Sequence, residues 1–516
     1  MRDEIYIRAE EKKLLDFCHS HDALYIYGAG NYGRGYLDVL HTKGIAVDGF
    51  LVSEKQREEF CGKGIYSVEE AERKECGNLG ILPAYTNSRP DEIKKRFAKA
   101  SPDVLDMDHR VMICLDDEIR FFPILDRLDL EFGVSPQWEA DAKLESILVI
   151  RLDAIGDTVL TTPFIRELRK NNPKAQICAV IRKQNYFLLK NCPYIDELFL
   201  YNSGLIDGEL ADQSRMYDGI RKKVEGFVKE NFSGKHFDAV FLPRELLCGR
   251  NTVEELALAY GSGAKYKIGR IMDNEIDKRF LYSRMVKSFS WVSLQGKPMH
   301  EAEYGLNLLR DCGYAIRNAD MELWPDDACK AYADAMVGRL RESKEDIIVA
   351  LGIVASVETR TWRVDNYKAL IEECYGLYHT RVKFILLGGK DAVEAAKELH
   401  GAIVMDLTGK ARLDQTAAIM EQCDLYVGSN TGLLHFASAF GKPSVTIYSE
   451  LDDGLPTDGD SPFRMGAWQV PHIDLVPHAG LDGCHGVCRM GRSHCINLVT
   501  PRQALEAMEK ITALKT

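Results

Sequence analysis

Short apolar runs alternate with stretches of helical spacing along the chain, and together they form three blocks. The first block covers about residues 22–130 and opens with an apolar run at Leu24–Tyr27. The second opens at Ile147–Ile150 and the third at Ile347–Leu351, both with the pattern of buried strands. Strands that alternate with helices predict parallel sheets joined by right-handed crossovers. The pattern therefore predicts an α/β protein of three doubly wound units in series.

Turn residues divide these blocks into predicted domains. The periodicity is lost at residues 133–136, where a linker is predicted. We therefore predict a small Rossmann-like domain over residues 1–135, a second domain over 146–330 and a third over 331–516. Further strands are predicted at Val47–Val52, Gln176–Ile181, Leu198–Tyr201, Ala239–Leu242, Val382–Leu387, Ile403–Leu407, Leu425–Val427 and Ser444–Tyr448. Helical spacing is found at Thr158–Lys170, Ala302–Cys312, Asn366–Tyr378, Val393–Leu399, Leu413–Gln422 and Leu433–Phe440.

The residues that suggest chemistry in the second and third blocks lie at strand ends or in the loops that follow. In open α/β sheets, ligands bind outside the carboxyl ends of the strands. Two such sheets that face each other enclose a cleft at those ends. The sequence therefore predicts a ligand site shared between the second and third domains.

Composition narrows the class of protein. With 46% hydrophobic and 28% charged residues, the 516-residue chain has ordinary globular usage, which excludes fibrous and wholly disordered classes. Its net charge of −12 argues against nucleic acid as a partner, because sequence-independent binding needs a cationic surface. The charged residues in Met1–Glu4 are unlike a signal peptide, and no apolar run reaches the roughly 18 residues of a membrane span.

These features predict a cytoplasmic protein whose 14 cysteines stay reduced. The sequence leaves open a peripheral contact with the inner face of the cytoplasmic membrane. It also leaves open the assembly of a homo-oligomer.

The strand at Ile147–Ile150 is followed closely by Gly156 and Asp157, at or next to the start of a predicted helix. One interpretation makes Asp157 a helix cap, because Asp accepts hydrogen bonds from free backbone N–H groups there. The other makes it a base, since the helix dipole keeps the carboxylate ionised and an ionised carboxylate can take a proton from a hydroxyl. Spacing alone favours the cap.

An ordered set of motifs resembles the family-nine glycosyltransferases, the lipopolysaccharide heptosyltransferases and their relatives. The resemblance covers about residues 146–510 and leaves out residues 1–135. The motifs are, in chain order, Ile147–Ile150 with Gly156-Asp157 and Thr162-Pro163, then Asn191–Asp196, His300–Gly313, Arg360-Thr361-Trp362 and Gly428–Pro443.

The resemblance implies a GT-B fold, in which two Rossmann-like domains hold a nucleotide-sugar mainly on the C-terminal side. It implies an inverting sugar transfer that requires no cofactor. The favoured reaction is the transfer of heptose from ADP-heptose in lipopolysaccharide biosynthesis. The acceptor is left open among glycans, lipid-linked saccharides and protein side chains. The Asp of the Gly-Asp pair is the family's general base, and this role carries over to Asp157.

A loop in the third block is predicted to bind the donor. Asn430, Thr431 and Gly432 lie between a strand and a helix, with His435 one turn into that helix. Free N–H groups at a helix N-terminus bind phosphate, and glycine lets the backbone approach closely. An ordinary helix start with a core histidine would explain the same residues without the resemblance. The family has Asp where this chain has Asn430, which puts the donor sugar and the activity in question.

Two further loops are predicted to face the donor. The family's basic residue before Trp maps to Arg360, which is expected to offset charge that develops on the diphosphate leaving group. Arg363 is a second candidate for the donor, or else a surface residue. Asp391 follows a strand and is a candidate for ribose hydroxyls, with helix capping as the alternative.

Cysteines and histidines are concentrated in residues 484–495, CHGVCRMGRSHC. Cys484, Cys488 and Cys495 have a spacing that can serve a structural zinc or iron, although a Cys-x-x-Cys pair is missing. A reduced loop without metal is an equally good interpretation.

The first block contains G-x-G-x-x-G, formed by Gly28, Gly30 and Gly33 after a strand, and Glu54 lies where it could meet a ribose. A nucleotide is therefore a candidate ligand, although the glycines also allow a tight strand–helix turn. This motif supports an alternative function, an NAD-dependent sugar-modifying oxidoreductase. Asn430 supports another, a non-catalytic nucleotide-sugar-binding subunit.

Overall fold

A computed structural model describes residues 2–512 with gaps at 30, 53–54, 56, 75–76, 85–89, 98–99, 108–110, 113–114, 117–118, 120–121, 133, 204–212, 245–249, 273–288, 296–298, 452–460, 479 and 481–493. Within the described residues, the strands form three sheets of six strands each. Neighbouring strands are parallel, apart from one antiparallel pair in the first sheet. The predicted α/β class with parallel sheets is confirmed.

The first sheet belongs to the N-terminal part of the chain. Its strands are β1 Ala23–Tyr27, β2 Gly49–Val52, β3 Glu59–Phe60, β4 Lys63–Ser67, β5 Leu79–Pro83 and β6 Asp103–Val104, in the order β3-β4-β2-β1-β5-β6. The helices in this part are Arg2–His19, Asn31–Thr42, Val68–Lys74 and Pro90–Lys94. Leu24 and Ile26 enter one apolar cluster while Tyr25 and Tyr27 enter another. Both faces of the sheet are therefore covered, as parallel sheets require.

Two of the motif glycines in this sheet have a clear structural role. Gly28 follows β1 with a φ of +123°, a conformation that side chains disfavour. A Cβ added to Gly33 would lie 1.9 Å from the Gly28 carbonyl oxygen, so the helix can approach the strand only without a side chain. Gly30 and Glu54 lie outside the described residues. A nucleotide ligand for this sheet stays a prediction.

Helix Phe122–Phe132 joins the first part of the chain to the second. Its buried residues Ile124 and Leu128 lie in the same apolar cluster as Leu148 and Ile150. By packing, this helix belongs with the second sheet, whereas the sequence pattern placed it in the first block.

The second sheet consists of β7 Ser146–Arg151, β8 Gln176–Arg182, β9 Glu197–Tyr201, β10 Ala239–Phe241, β11 Tyr266–Met272 and β12 Trp291–Gln295. Their order is β12-β11-β10-β7-β8-β9, so β7 is central. The helices of this part are Ile155–Leu160, Thr162–Asn171, Tyr186–Leu189, Gln213–Asn231, Arg250–Gly261 and Glu301–Asp311.

The single helix predicted over Thr158–Lys170 is instead two helices, Ile155–Leu160 and Thr162–Asn171. Pro163 lies in the first turn of the second helix and has no backbone N–H for the preceding turn. The first helix therefore ends before it, and Asp157 lies in the first turn of a short helix.

The third sheet consists of β13 Ile347–Gly352, β14 Val382–Leu387, β15 Val404–Asp406, β16 Leu425–Ser429, β17 Ser444–Ile447 and β18 His472–Leu475. Their order is β15-β14-β13-β16-β17-β18. The helices of this part are Asp327–Leu340, Val364–Tyr378, Val393–Ala396, Leu413–Gln422, Gly432–Ala439, Pro462–Met465 and Pro501–Thr512.

The second and third sheets are joined through the helices that follow their central strands. Helix Ile155–Leu160, after β7, packs against helix Gly432–Ala439, after β16. Val159 and Leu434 of these helices are buried in one shared apolar cluster. This packing brings the carboxyl ends of two central strands to a common boundary.

Candidate active site

The candidate base lies at a switch point of the second sheet. β7 continues to β8 on one side, whereas its other neighbour, β10, continues to β11 on the opposite side. The connections from these two adjacent strands therefore diverge at their carboxyl ends, where open α/β sheets bind ligands. Arg151 is the last residue of β7. Asp153 and Asp157 follow it in the loop and in the first turn of helix Ile155–Leu160.

Asp157 both caps its helix and faces a buried arginine. Its Oδ2 accepts the Ala154 N–H at 3.1 Å, which satisfies a free donor at the helix start. Its Oδ1 lies 3.4 Å from Nη2 of Arg151, and 24% of the side chain remains exposed. The cap and the catalytic base, the two roles considered for this residue, are compatible in one side chain.

The surroundings of Asp157 change its acidity. Burial raises its pKa to about 6, while the Arg151 guanidinium opposes the shift and the carboxylates of Asp153 and Glu301 add to it. An aspartate with this pKa is still ionised at pH 7, and it accepts a proton more readily than an ordinary aspartate. The electrostatics therefore suit proton abstraction near neutral pH.

The Asp157 carboxylate is surrounded by further charged side chains, which no sequence motif had indicated. Arg151 Nε lies 3.0 Å from Asp153 Oδ2, and Arg244 Nη1 lies 2.5 Å from Asp153 Oδ1. Glu255, whose pKa burial raises to about 7, accepts the Leu152 N–H at 2.7 Å. The available signal was Arg151 itself, because a charged residue directly after the apolar run of a buried strand needs partners.

The predicted donor loop begins the helix that packs on the base. Thr431 is the N-cap of helix Gly432–Ala439, and its Oγ1 accepts the Leu433 N–H at 3.3 Å. A methyl group added to Gly432 would lie 3.0 Å from Ile155 Cγ2 and 3.4 Å from the Gly156 nitrogen. The structure therefore brings this loop against the helix that carries Asp157. Asn430 is buried just before it.

His435 lies in this contact between the two halves of the site. Its side chain is buried, and an added Cβ at Gly156 would lie 2.7 Å from its Cδ2. Burial lowers the pKa of His435 to about 3, so the ring is neutral at pH 7. Its Nδ1 is buried without a hydrogen-bond partner among the described residues. Its predicted contact with the donor stays a prediction.

The three residues predicted in other loops have different surroundings. Arg360 is half-buried at the end of the 3-10 helix Glu358–Arg360, after β13. Arg363 is 63% exposed and pairs with Asp365 at 3.0 Å, which places its guanidinium on the surface. Asp391 is exposed in a turn after β14. Their contacts with a donor remain predictions.

Trp362 lies between the two arginines and belongs to the core. It is fully buried, its Nε1 donates to the Val499 carbonyl at 2.9 Å, and its ring packs edge-on against Tyr367 at 4.8 Å. The Arg-Thr-Trp motif thus anchors the loop that carries Arg360 to the third sheet.

Replacing Trp362 with alanine is expected to destabilise the third sheet by about 3–5 kcal/mol, because a buried indole and its hydrogen bond are lost. At roughly 2–4 °C per kcal/mol, the corresponding calorimetric transition of the full chain should fall by about 10 °C. Arg363→Ala, one residue away and exposed, is the control and should leave the transition in place. An unchanged transition for the tryptophan variant would contradict its anchoring role.

The predicted metal site is only partly within the described residues. Cys484 and Cys488 lie outside them. Cys495 is buried at the start of the 3-10 helix Cys495–Leu498, with its Sγ 3.3 Å from His494 Nδ1. Zinc or iron at these cysteines stays a prediction.

Asp326, Cys329 and Asp414 lie close enough together to hold a metal ion. Lys190 Nζ, however, lies 2.9 Å from Asp326 and 2.8 Å from Asp414. Because this ammonium already pairs with both carboxylates, and Arg412 also pairs with Asp414 at 3.1 Å, the group fits an ion-pair cluster between the second and third sheets better than a cation site.

Comparison with known proteins finds a family match for part of the chain. Residues 310–456 match the sequence model of glycosyltransferase family 9 (heptosyltransferase). The lipopolysaccharide core heptosyltransferase OpsX of Haemophilus influenzae is 22% identical over 310 residues, which are 59% of this chain and 79% of that protein. The chain carries a glycosyltransferase family 9 domain. It is a glycosyltransferase, as the sequence resemblance implied.

Solved structures that are similar to this chain support the predicted GT-B fold. A family 9 glycosyltransferase from Veillonella parvula has a TM-score of 0.56 at 20% identity, covering 72% of this chain and 97% of its own. The ADP-heptose lipopolysaccharide heptosyltransferase II of E. coli has a TM-score of 0.51 at 18% identity, covering 71% and 98%. The GT-B prediction is therefore confirmed, whereas the N-terminal module, the domain limits and the site residues stay predictions. None of the described helices is long and apolar enough to cross a membrane.

Proposed function

We propose that this glycosyltransferase transfers heptose from ADP-heptose, with inversion, to a hydroxyl of a glycan, lipid-linked saccharide or protein. Asp157 takes the proton of the attacking hydroxyl. The N-terminus of helix Gly432–Ala439 binds the diphosphate through its free N–H groups, and Arg360 offsets the charge of the departing nucleotide. A saccharide of the lipopolysaccharide type is the favoured acceptor, because OpsX and the E. coli enzyme are named for lipopolysaccharide.

One observation carries this proposal. The carboxylate of Asp157 is partly exposed at the end of a central strand, and its helix packs on the helix of the predicted donor loop. A base that activates a hydroxyl must lie within one hydrogen bond of it while the donor is held nearby. The contact between Gly156 and Gly432 meets this need for proximity.

Donor identity is tested by thermal stabilisation. The full chain is heated with ADP-heptose, GDP-mannose, UDP-N-acetylglucosamine or dTDP-rhamnose. A donor at 100 times its dissociation constant stabilises the state that binds it by roughly 2.7 kcal/mol. ADP-heptose should raise the melting temperature more than the others. A larger shift with another nucleotide-sugar would replace heptose in the proposal.

Transfer itself is measured as ADP release from ADP-heptose with a heptose-free lipopolysaccharide core, an oligosaccharide or a protein fraction as acceptor. Acceptor-dependent release supports the proposal. Binding of the donor without release under any of these conditions favours a non-catalytic subunit instead. The variant Asn430→Asp distinguishes the enzyme from the non-catalytic subunit. If the wild-type protein releases no ADP and this variant does, the amide of Asn430 is the cause of the missing activity.

A further inference from the structure

A chain of alternating charges leads from Asp157 into the other half of the molecule. Arg151, with 4% of its side chain exposed, contacts Asp157 at 3.4 Å and Glu301 Oε1 at 3.5 Å through the same Nη2. Arg464 binds the other oxygen of that glutamate, Oε2, from Nη2 at 3.1 Å and from Nε at 3.3 Å. Glu301 thus joins Arg151, at the end of a strand of the second sheet, to Arg464 in the helix Pro462–Met465.

These charges are buried, so they depend on one another. Burial alone would raise the pKa of Glu301, yet Arg464 and Arg151 hold it below its usual range. A buried carboxylate that lost one of these arginines would draw more strongly on the other, because unpaired buried charge is costly. Any change at Arg464 is therefore expected to alter how firmly Arg151 binds Asp157.

The segment that carries Arg464 packs against residues that follow the second sheet in the chain. His300, next to Glu301 in the chain, donates from Nε2 to the Gly466 carbonyl at 3.0 Å and stacks on Trp468 at 4.3 Å. Trp468 donates in turn to the Ala319 carbonyl at 2.7 Å. Burial lowers the pKa of His300 to about 4, so this docking is the same at any neutral pH. Residues 461–468, the docking segment, thus fix Arg464 over Glu301.

We propose that Glu301 and Arg464 are positioning residues that set the orientation and basicity of Asp157 through Arg151, and that Arg464 acts only while the docking segment is in place. The proposal rests on the role of Asp157 under Proposed function. In this proposal both residues act through Arg151 rather than on the reacting hydroxyl itself. Among the described residues, the charged and titratable side chains that face Asp157 or its helix include Arg151, Asp153, Arg244, Glu301 and His435.

Opposite shifts of a pH profile test this role. Glu301→Gln removes a like charge and frees Arg151 for Asp157, so the acid limb of ADP release from ADP-heptose should move down by about one pH unit. Arg464→Gln makes Glu301 draw more strongly on Arg151, so the limb should move up by a similar amount. Arg464→Lys keeps the cation and should restore most of the wild-type profile. A purely structural role would lower the rate in all three variants without moving the limb in opposite directions.

The control is Arg412→Gln. Arg412 pairs with Asp414 in the other ion-pair cluster between the halves, so it reports on a general loosening of their contact. The acid limb of ADP release by Arg412→Gln should stay at the wild-type pH. If Glu301→Gln and Arg464→Gln also leave the limb there, or both move it the same way, the proposal is overturned.

A second measurement separates this proposal from the proposed function. The Asp157 carboxyl is titrated by ¹³C NMR in the labelled full chain and assigned as the signal missing from Asp157→Asn. Its midpoint should fall in Glu301→Gln and rise in Arg464→Gln even if ADP-heptose is never turned over. Unmoved midpoints reject the positioning role. If the wild-type protein shows no ADP release but the titration midpoints move as expected, only the proposed sugar transfer is rejected.

Discussion

Asp157→Asn is expected to lower the rate of ADP release about 10²–10⁴-fold, which is the usual contribution of a general base. The amide has the shape of the carboxylate but takes up no proton. Its Oδ1 can still accept the Ala154 N–H that caps the helix at 3.1 Å, so the fold is retained. Donor affinity, measured by calorimetry with ADP-heptose, should be unchanged. The rate constant and the affinity together separate a chemical role from a binding role.

The pH dependence gives a second check on the same residue. Because burial raises the pKa of Asp157 to about 6, release by the wild type should fall as the pH drops through 6 and stay level above it. The Asn variant should lack this limb. Asp365→Asn, which alters a carboxylate 64% exposed on the surface, serves as the control. Near-normal release by Asp157→Asn would rule out this base and leave the aspartate as a cap.

Much of the fold was predictable because its signals are local. The buried strand at Val382–Leu387 and the helix at Leu413–Gln422 have the predicted bounds. Long apolar runs and amphipathic spacing lie within one element, and neighbouring residues alone define them. Where a prediction was wrong, another local rule had prevailed. Pro163 split the helix predicted over Thr158–Lys170, although its apolar spacing runs on without a break.

The site was predictable only where motifs follow strands. Asp157 and the loop at Asn430 lie at strand ends, and the parallel sheets bring such ends to one edge. The charge chain was not predictable, because Glu301 and Arg464 are 163 residues apart and meet only after the third sheet packs on the second. Trp362 shows the reverse case. A motif residue beside a candidate cation proved to be core, since sequence spacing does not tell a buried face from an exposed one.

Gly156→Ala is expected to slow ADP release about 100-fold while leaving both halves folded. The new methyl group would lie 2.7 Å from Cδ2 of His435, a distance that side chains do not tolerate. That ring is only 2% exposed, so it has no room to turn away. Helices Ile155–Leu160 and Gly432–Ala439 must therefore move apart, and this movement increases the distance between the base and the donor loop. A displacement of about 1 Å at reacting groups can cost 10²-fold in rate.

Removing the ring should restore the contact. In the double variant Gly156→Ala/His435→Ala the methyl group meets empty space, and its next neighbour is the Gly432 Cα at 3.5 Å, an ordinary contact. Release should therefore be faster in the double variant than in Gly156→Ala alone, and the coupling follows from a double-mutant cycle with His435→Ala. Wild-type kinetics in Gly156→Ala would mean that the two helices do not meet during turnover. An equal loss in the single and double variants would mean that the glycine serves its own helix rather than the contact with His435.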